Sequence, residues 1–248
     1  MRSLPDLHIS ARHFLGVGAA ITVGLTVAHG VSHLAAAKLG ENRITSQLLE
    51  WFSLDGEGNF PALFSSLLLL VSAASFLCIG LTSKTDPAQS SIAKYWKGLA
   101  CIFCFLAIDE AVLIHEKFDN NTLLSWVETN GFLAWPWVIL YAVLVLFFVA
   151  IYFRFWWNLE KSYRFAYALT AAVYVSAALG LEMVGAFLYT NSSPQLVAMY
   201  SYVMALEELL EMLAIVALIT INLDYLSRHF GRVALAIERF SITSKAEA

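Results

Sequence analysis

Read for its hydrophobic and polar positions, the chain is a series of long apolar runs separated by short polar stretches. A helix needs about 20 predominantly apolar residues to cross a bilayer. About six windows reach that length: 14–38, 61–83, 95–116, 132–155, 163–190 and 196–226. The last two exceed it, which implies tilt or an extension beyond the lipid. The alternation of a membrane β-barrel is absent, so every run is expected to be helical. In the polar stretch 39–60, residues 44–52 read as a short helix on the membrane surface, with Trp51 as an interfacial anchor. The string Asp55-Gly56-Glu57-Gly58-Asn59-Phe60-Pro61 then reads as a solvated, capped entrance to the second span, with Pro61 in the first helical turn. The tail after Phe230 is amphipathic and basic and is expected to rest on anionic lipid.

Composition strengthens this picture. Of 248 residues, 59% are hydrophobic and 14% are charged, with a mean hydropathy of +0.69. A soluble domain carries about 25% charged residues. The expected fold is therefore all-α: one polytopic transmembrane helical bundle over 1–248, with about six spans. Arg2 and Arg12 precede the first run as in a signal peptide, but 14–37 is too long for a cleavable core and is expected to stay as a span. With the N-terminus inside, twelve Lys and Arg fall on the inner stretches, against Lys38, Arg43 and Lys117 outside. The positive-inside rule then gives both termini inside, in a bacterial inner membrane. Basic residues are few and scattered, which excludes a nucleic-acid surface. Cys78, Cys101 and Cys104 lie in apolar stretches, give no disulfide framework, and read as small core residues.

The polar exceptions carry the chemistry. Seven acids lie inside the expected spans: Asp109, Glu110, Glu116, Glu182, Glu207, Glu208 and Glu211, with His29, His33 and His115. A charge at the centre of a span costs roughly 2.5–3.5 kcal/mol on insertion scales, so such residues mark function by default. No Lys or Arg lies deep in a span to compensate. Either several acids are protonated, or cations the sequence does not encode neutralise them. At about 100° per residue, Asp109 and Glu116 would share a helix face within roughly 20°, flanked by Glu110 and His115. Glu207, Glu208 and Glu211 fall within an arc of roughly 100°, and Tyr200 joins their stripe two turns earlier. His29 and His33 sit one turn apart, a spacing common among metal ligands. Glu182 shares its face with Ala178, Gly185 and Ala186, where a neighbouring helix can approach. With the N-terminus inside, these groups fall at similar depth, in the outer half or near the midplane. The inner halves are poor in polar groups, apart from Thr22, Ser75, Cys101 and Ser176.

Carboxylates and imidazoles from several helices suit a dinuclear metal site. Bundle di-iron and di-manganese proteins use Glu from two helices and Glu-x-x-His pairs from two others. These helices lack Glu-x-x-His, so the match to that pattern is partial. Oxygen and imidazole donors favour iron first, then zinc or manganese. The expected metal ligands are Asp109, His115, Glu116, Glu182, Glu208 and Glu211, with His29 and His33 as ligands or their supports. Glu110, Glu207 and Tyr200 are the expected proton-handling residues.

Three strings together, Leu54-Asp55-Gly56-Glu57-Gly58-Asn59-Phe60-Pro61, Ala107-Ile108-Asp109-Glu110 with His115-Glu116, and Glu207-Glu208-x-x-Glu211-Met212, resemble an uncharacterised family of bacterial polytopic membrane proteins. The resemblance implies no activity. It implies that Asp55 and Glu57 belong to the outer mouth of the same site. The expected function is an integral membrane metalloprotein, an oxidoreductase acting on a lipid or quinone-like substrate. A zinc-dependent membrane hydrolase would use the same ligands. The alternatives are a metal-ion or proton transporter or channel, and a structural accessory subunit bound to membrane-complex partners.

Overall fold

The computed structural model describes residues 10–231 except 41, 88, 116, 118–129 and 192, and these residues form an all-helical bundle. Seven helices follow in order: α1 (Ala11–Leu39), α2 (Arg43–Phe52), α3 (Phe60–Thr85), α4 (Ala93–Val112), α5 (Trp137–Trp157), α6 (Lys161–Tyr189) and α7 (Pro194–Phe230). A single 3-10 turn, Gly131–Leu133, precedes α5. Helices α1, α3, α5 and α6 are long and apolar enough to cross a membrane. Helices α4 and α7 have the length, 20 and 37 residues, but carry the acids.

Local chemistry sets the boundaries. The Asn42 side chain accepts from the backbone N–H of Ile44 and Thr45, while Thr45 Oγ1 accepts from the Asn42 N–H, so orphan donors at the start of α2 are satisfied. Trp51 of α2 stays exposed, as an interfacial anchor requires. Asn59 caps α3 by accepting from Ala62 N–H at 3.1 Å, and its amide donates to the Ser53 carbonyl at 2.7 Å, which closes the 53–59 turn. Pro61 sits in the first turn of α3, where its missing N–H costs nothing.

The window 95–116 overran its helix. Helix α4 ends at Val112 because Leu113 takes a left-handed conformation (φ 55°), unusual for a residue with a Cβ. The Asp109 side chain then accepts the His115 backbone N–H at 2.9 Å, an alternative to helical continuation. Glu116 lies outside the described residues.

Helices α3 and α4 form the tightest pair. A Cβ at Gly80 would stand 3.1 Å from the Lys97 nitrogen and 3.2 Å from the Ala93 carbonyl, so only glycine admits this approach. Helix α7 runs through the centre, burying Met212, Ile215, Val216 and Ile219 against α3 and α1. Trp96, 1% exposed, anchors the core in contact with the rings of Phe76, Phe155, Tyr167 and Tyr225. Cys101 and Cys104 are exposed on α4 rather than in the core, since the buried face of α4 runs through Trp96, Leu99, Ala100 and Ala107.

One end of the bundle gathers α2, the 53–59 turn, the close of α4, the start of α5, the close of α6 and the start of α7. Tyr200 donates to Asp55, Tyr141 donates to Asp109, and Trp135 packs on Tyr189 and Tyr200 there. The opposite end gathers the α3–α4 and α5–α6 connections and the close of α7. There Tyr225 donates to Gln89 and His229 pairs with Glu160. Successive long helices therefore run in alternating directions.

Candidate functional site

A cavity of about 1440 Å³ lies among α4, α5, α6 and α7. Its walls are mostly apolar and aromatic, and its acids collect at the α2 end of the bundle. Glu110 comes from α4, Glu182 from α6, and Glu207, Glu208 and Glu211 from α7, with Asp55 and Glu57 at the rim. No Lys or Arg among the described residues lines it.

The helices aim these groups in different ways. On α7, Glu207, Glu208 and Glu211 share the arc that their spacing demands, and all three reach the cavity. Glu207, 7% exposed, is hydrogen-bonded to Glu182. Glu208 has Glu110, Glu182 and Asp55 as electrostatic neighbours, and Glu211 has Glu208, Glu110 and Glu182. Glu110 has His115 and Asp109 as electrostatic neighbours. Tyr174 of α6 stands within the electrostatic reach of Glu211, Glu110 and Glu208.

Glu182 arrives through a π-helical segment, Ser176–Leu181, inserted into α6. Eight residues of regular α-helix would leave Glu182 roughly 80° away from Tyr174, and each inserted residue takes up about 100° of turn. One inserted residue returns Glu182 to the face of Tyr174 within roughly 20°. Single π turns of this kind are frequent at functional sites. Beside Glu182, a Cβ at Gly185 would lie 3.4 Å from the Tyr200 ring, which brings Tyr200 over the acids.

Asp109 belongs to a separate corner of the same cavity. It is 5% exposed, and both of its oxygens are engaged. Oδ2 accepts from the Tyr141 hydroxyl at 2.7 Å, while Oδ1 accepts the His115 backbone N–H at 2.9 Å and lies 3.2 Å from His115 Nδ1. The His115 ring also packs on Trp137 at 4.7 Å between centroids. A histidine held by a carboxylate through one ring nitrogen is the arrangement that fixes tautomer and ring direction. Among the described residues the partners of Asp109 are His115 and Tyr141; Glu116, its expected partner, lies outside them.

His29 and His33 are placed elsewhere. Neither lines the cavity; His29 Nδ1 accepts the Leu54 N–H at 3.1 Å, and its ring lies 4.4 Å from that of His33. His29 thereby ties α1 to the turn that carries Asp55. Asp109, Glu110, His115, Glu182, Tyr200, Glu207, Glu208 and Glu211 do share the one cavity. As the side chains stand, no group of three or more His, Cys, Asp or Glu among the described residues is close enough to hold a metal ion.

Sequence reasoning missed several residues. Tyr141 and Trp137 carried no periodic signal of their own. Tyr174 was hidden by the π insertion. Trp135, Trp137 and Trp156 also line the cavity. At the far end, Asn222 is fully buried; it takes the Tyr167 hydroxyl at 2.8 Å and donates to Ser75 Oγ at 2.8 Å. One turn further out, Tyr163 donates to Asp224 at 2.8 Å. Asn222 lies eleven residues after Glu211, three turns on the same stripe, and that spacing was the available signal. Tyr167 carries this cluster to the cavity wall.

Compared with known families, residues 16–225 match the model of a domain of unknown function, DUF8692. The chain belongs to this family. The DUF8692 match takes in every cavity residue named above and both ends of the bundle. No curated protein and no solved structure matches the chain.

Proposed function

We propose that this is a six-span membrane metalloprotein, with both termini on the cytoplasmic side of a bacterial inner membrane. Its acids would hold a dinuclear metal centre, iron first and manganese or zinc after it, and act on a lipid or quinone-like substrate. The observation that carries the reading is the meeting of five glutamates from three helices on one cavity without a basic residue among its described walls. Uncompensated carboxylates at that density repel one another, by about 4 kcal/mol per pair at 4 Å where the effective dielectric constant is about 20. Divalent cations are the simplest counter-charge.

In this reading Glu110, Glu182, Glu208 and Glu211 are the direct carboxylate ligands and His115 is the imidazole ligand. Asp109 positions His115, since its own oxygens are already occupied by protein donors. Glu207 and Tyr200 handle protons at the mouth, where Tyr200 also reaches Asp55. His29 supports the 53–59 turn instead of binding metal. Bound metal would supply redox or Lewis-acid chemistry at the polar end of the cavity. Six crossings and the inside placement of the termini are supported by the alternating helix directions and the twelve-to-three bias of basic residues. A through-path for ions has less support, because the cavity walls away from the acids are mostly apolar and aromatic.

Elemental analysis of the purified chain tests the reading. About two ions per chain are expected, as bundle dinuclear sites hold, and the Glu208→Ala, Glu211→Ala double variant should lose them while remaining folded. A metal-free unmutated chain, expressed with iron, manganese and zinc supplied, would overturn it.

A further inference from the structure

The acids occupy only one end of the cavity, and the proposed metal chemistry leaves the remainder of its volume unused. The cavity continues from Tyr200 to Leu218 along α7 and from Trp137 to Trp156 along α5. Eighteen residues of α7 rise about 27 Å at 1.5 Å per residue. That is close to the thickness of a bilayer's hydrocarbon core, about 30 Å. Ligand pockets for small molecules usually enclose about 300–1,000 Å³, and this one is larger. A void of such size with apolar walls offers few partners to water and forfeits dispersion contacts along its whole lining. The fold therefore leaves room for an apolar chain.

The approach is from the side. Leu144, Phe147 and Ile151 of α5 line the cavity and are also exposed on the outer surface, Phe147 and Ile151 at 62% each. Helix α5 buries the smallest share of any candidate span. The same apolar side chains thus border both the cavity and the hydrocarbon that would surround the bundle. The acids stand at one end of the lining and apolar and aromatic side chains fill the rest, so a molecule entering past α5 would come to rest with its polar end at the acids. Charge complementarity selects that polar end: a wall with six glutamates and, among the described residues, no lysine or arginine rejects an anionic head.

We infer that the cavity is a lateral binding site for a single-chain lipid amphiphile with an uncharged, hydrogen-bond-donating head, its chain lying beside Trp96 and its head at Glu208 and Glu211. The choice of head rests on the reading of the acids as the reacting end; the chain site does not.

The test is tryptophan quenching of the purified full chain in a bulky steroid detergent by dibrominated octadecanol, with dibrominated stearate as the anionic match. Trp96 lines the cavity yet is almost wholly buried, so it is sheltered from bromine outside the protein. A saturable quenching component is expected that shrinks in Trp96→Phe, with Trp135, Trp137 and Trp156 of the same lining carrying the remainder, and that weakens in Ala168→Phe, where the added ring enters the lumen. The stearate should bind at least about tenfold more weakly, as like charges at the head require. Native mass spectrometry of the unmutated chain should show one alcohol adduct at saturation, which keeps the test independent of how the variants fold. Quenching that rises with probe without saturating, or that survives Trp96→Phe unchanged, would overturn the chain site. Equal binding of the stearate would overturn the head assignment. Saturable binding in a metal-free chain would uphold this site while sinking the metal reading, and metal without saturable quenching would do the reverse.

Discussion

Replacing Asp109 by Asn separates two roles for this residue, metal ligand and positioning group. In the structure its carboxylate accepts from Tyr141 Oη at 2.7 Å and from the His115 backbone N–H at 2.9 Å, and it faces His115 Nδ1 at 3.2 Å. The amide of Asn retains one acceptor oxygen and presents an NH2 where the other stood. One of the donors is then left without an acceptor in a site that is 5% exposed. A buried donor stranded in this way costs about 1–3 kcal/mol, and loss of the charge-assisted partner adds about as much again. For a chain of this length each kcal/mol lowers the melting temperature by roughly 2–4 °C, so Asp109→Asn should lower it by about 5–15 °C. Tyr141→Phe removes donor and hydroxyl together and should cost only about 1 kcal/mol. The double variant should be less destabilised than the sum, with a coupling of about 1–2 kcal/mol. Thermal unfolding in detergent, followed by tryptophan emission, reads this directly, because Trp137 packs on the His115 ring. An Asp109→Asn protein that melts like the unmutated chain but loses its metal would refute the positioning role and make Asp109 a ligand.

Other substitutions probe the frame. At Gly18 a Cβ would stand 2.8 Å from Val216 Cγ1, so Gly18→Ala should destabilise by about 1–3 kcal/mol through overpacking. At Gly16 nothing lies within 4 Å, and Gly16→Ala should be neutral or gain up to about 1 kcal/mol by helix propensity; equal effects at the two sites would contradict the α1–α7 contact. Asn222→Leu strands the Tyr167 hydroxyl, while Ser75 loses a donor but keeps its own bond to the Ser72 carbonyl, and it should cost about 1–2 kcal/mol. Tyr167→Phe should cost less than Asn222→Leu, and denaturant unfolding would rank them. Asp55→Asn should weaken the tie to Tyr200 and raise hydrogen exchange across residues 53–59, while leaving the helices protected.

Much of the fold could be read from the chain because bilayer length and helical periodicity constrain it tightly. All six long windows became helices, and the Asn59 cap with Pro61 placed the start of α3 within a residue. The acids of α7 were legible for the same reason: three residues within one arc face the same way in any regular helix. What escaped was set by departures from regularity. Leu113 turns left-handed, and that single backbone choice detaches His115 from the helix face assigned to it. The π segment of α6 shifts the helix face on which Glu182 stands, a shift that no count at 100° per residue reproduces. His29 looked like a ligand because its spacing to His33 is right, yet spacing says nothing about the Leu54 N–H that it accepts. Asn222 was passed over because one amide in an apolar stripe gives little signal until its partners on α3 and α6 are in place.

The central claim is that carboxylates from α4, α6 and α7 form one metal-dependent site, and ligand-linked stability tests it most directly. A metal that binds only the folded chain stabilises it by about 2.7 kcal/mol at a hundredfold excess over its dissociation constant. Chelator-stripped protein titrated with ferrous or manganous ion should therefore melt at progressively higher temperature. The Glu208→Gln, Glu211→Gln double variant should start from a higher metal-free melting temperature, with two repelling carboxylates gone, and should not respond to metal. A stripped chain that gains nothing from metal, or a double variant that gains as much as the unmutated protein, would contradict the account.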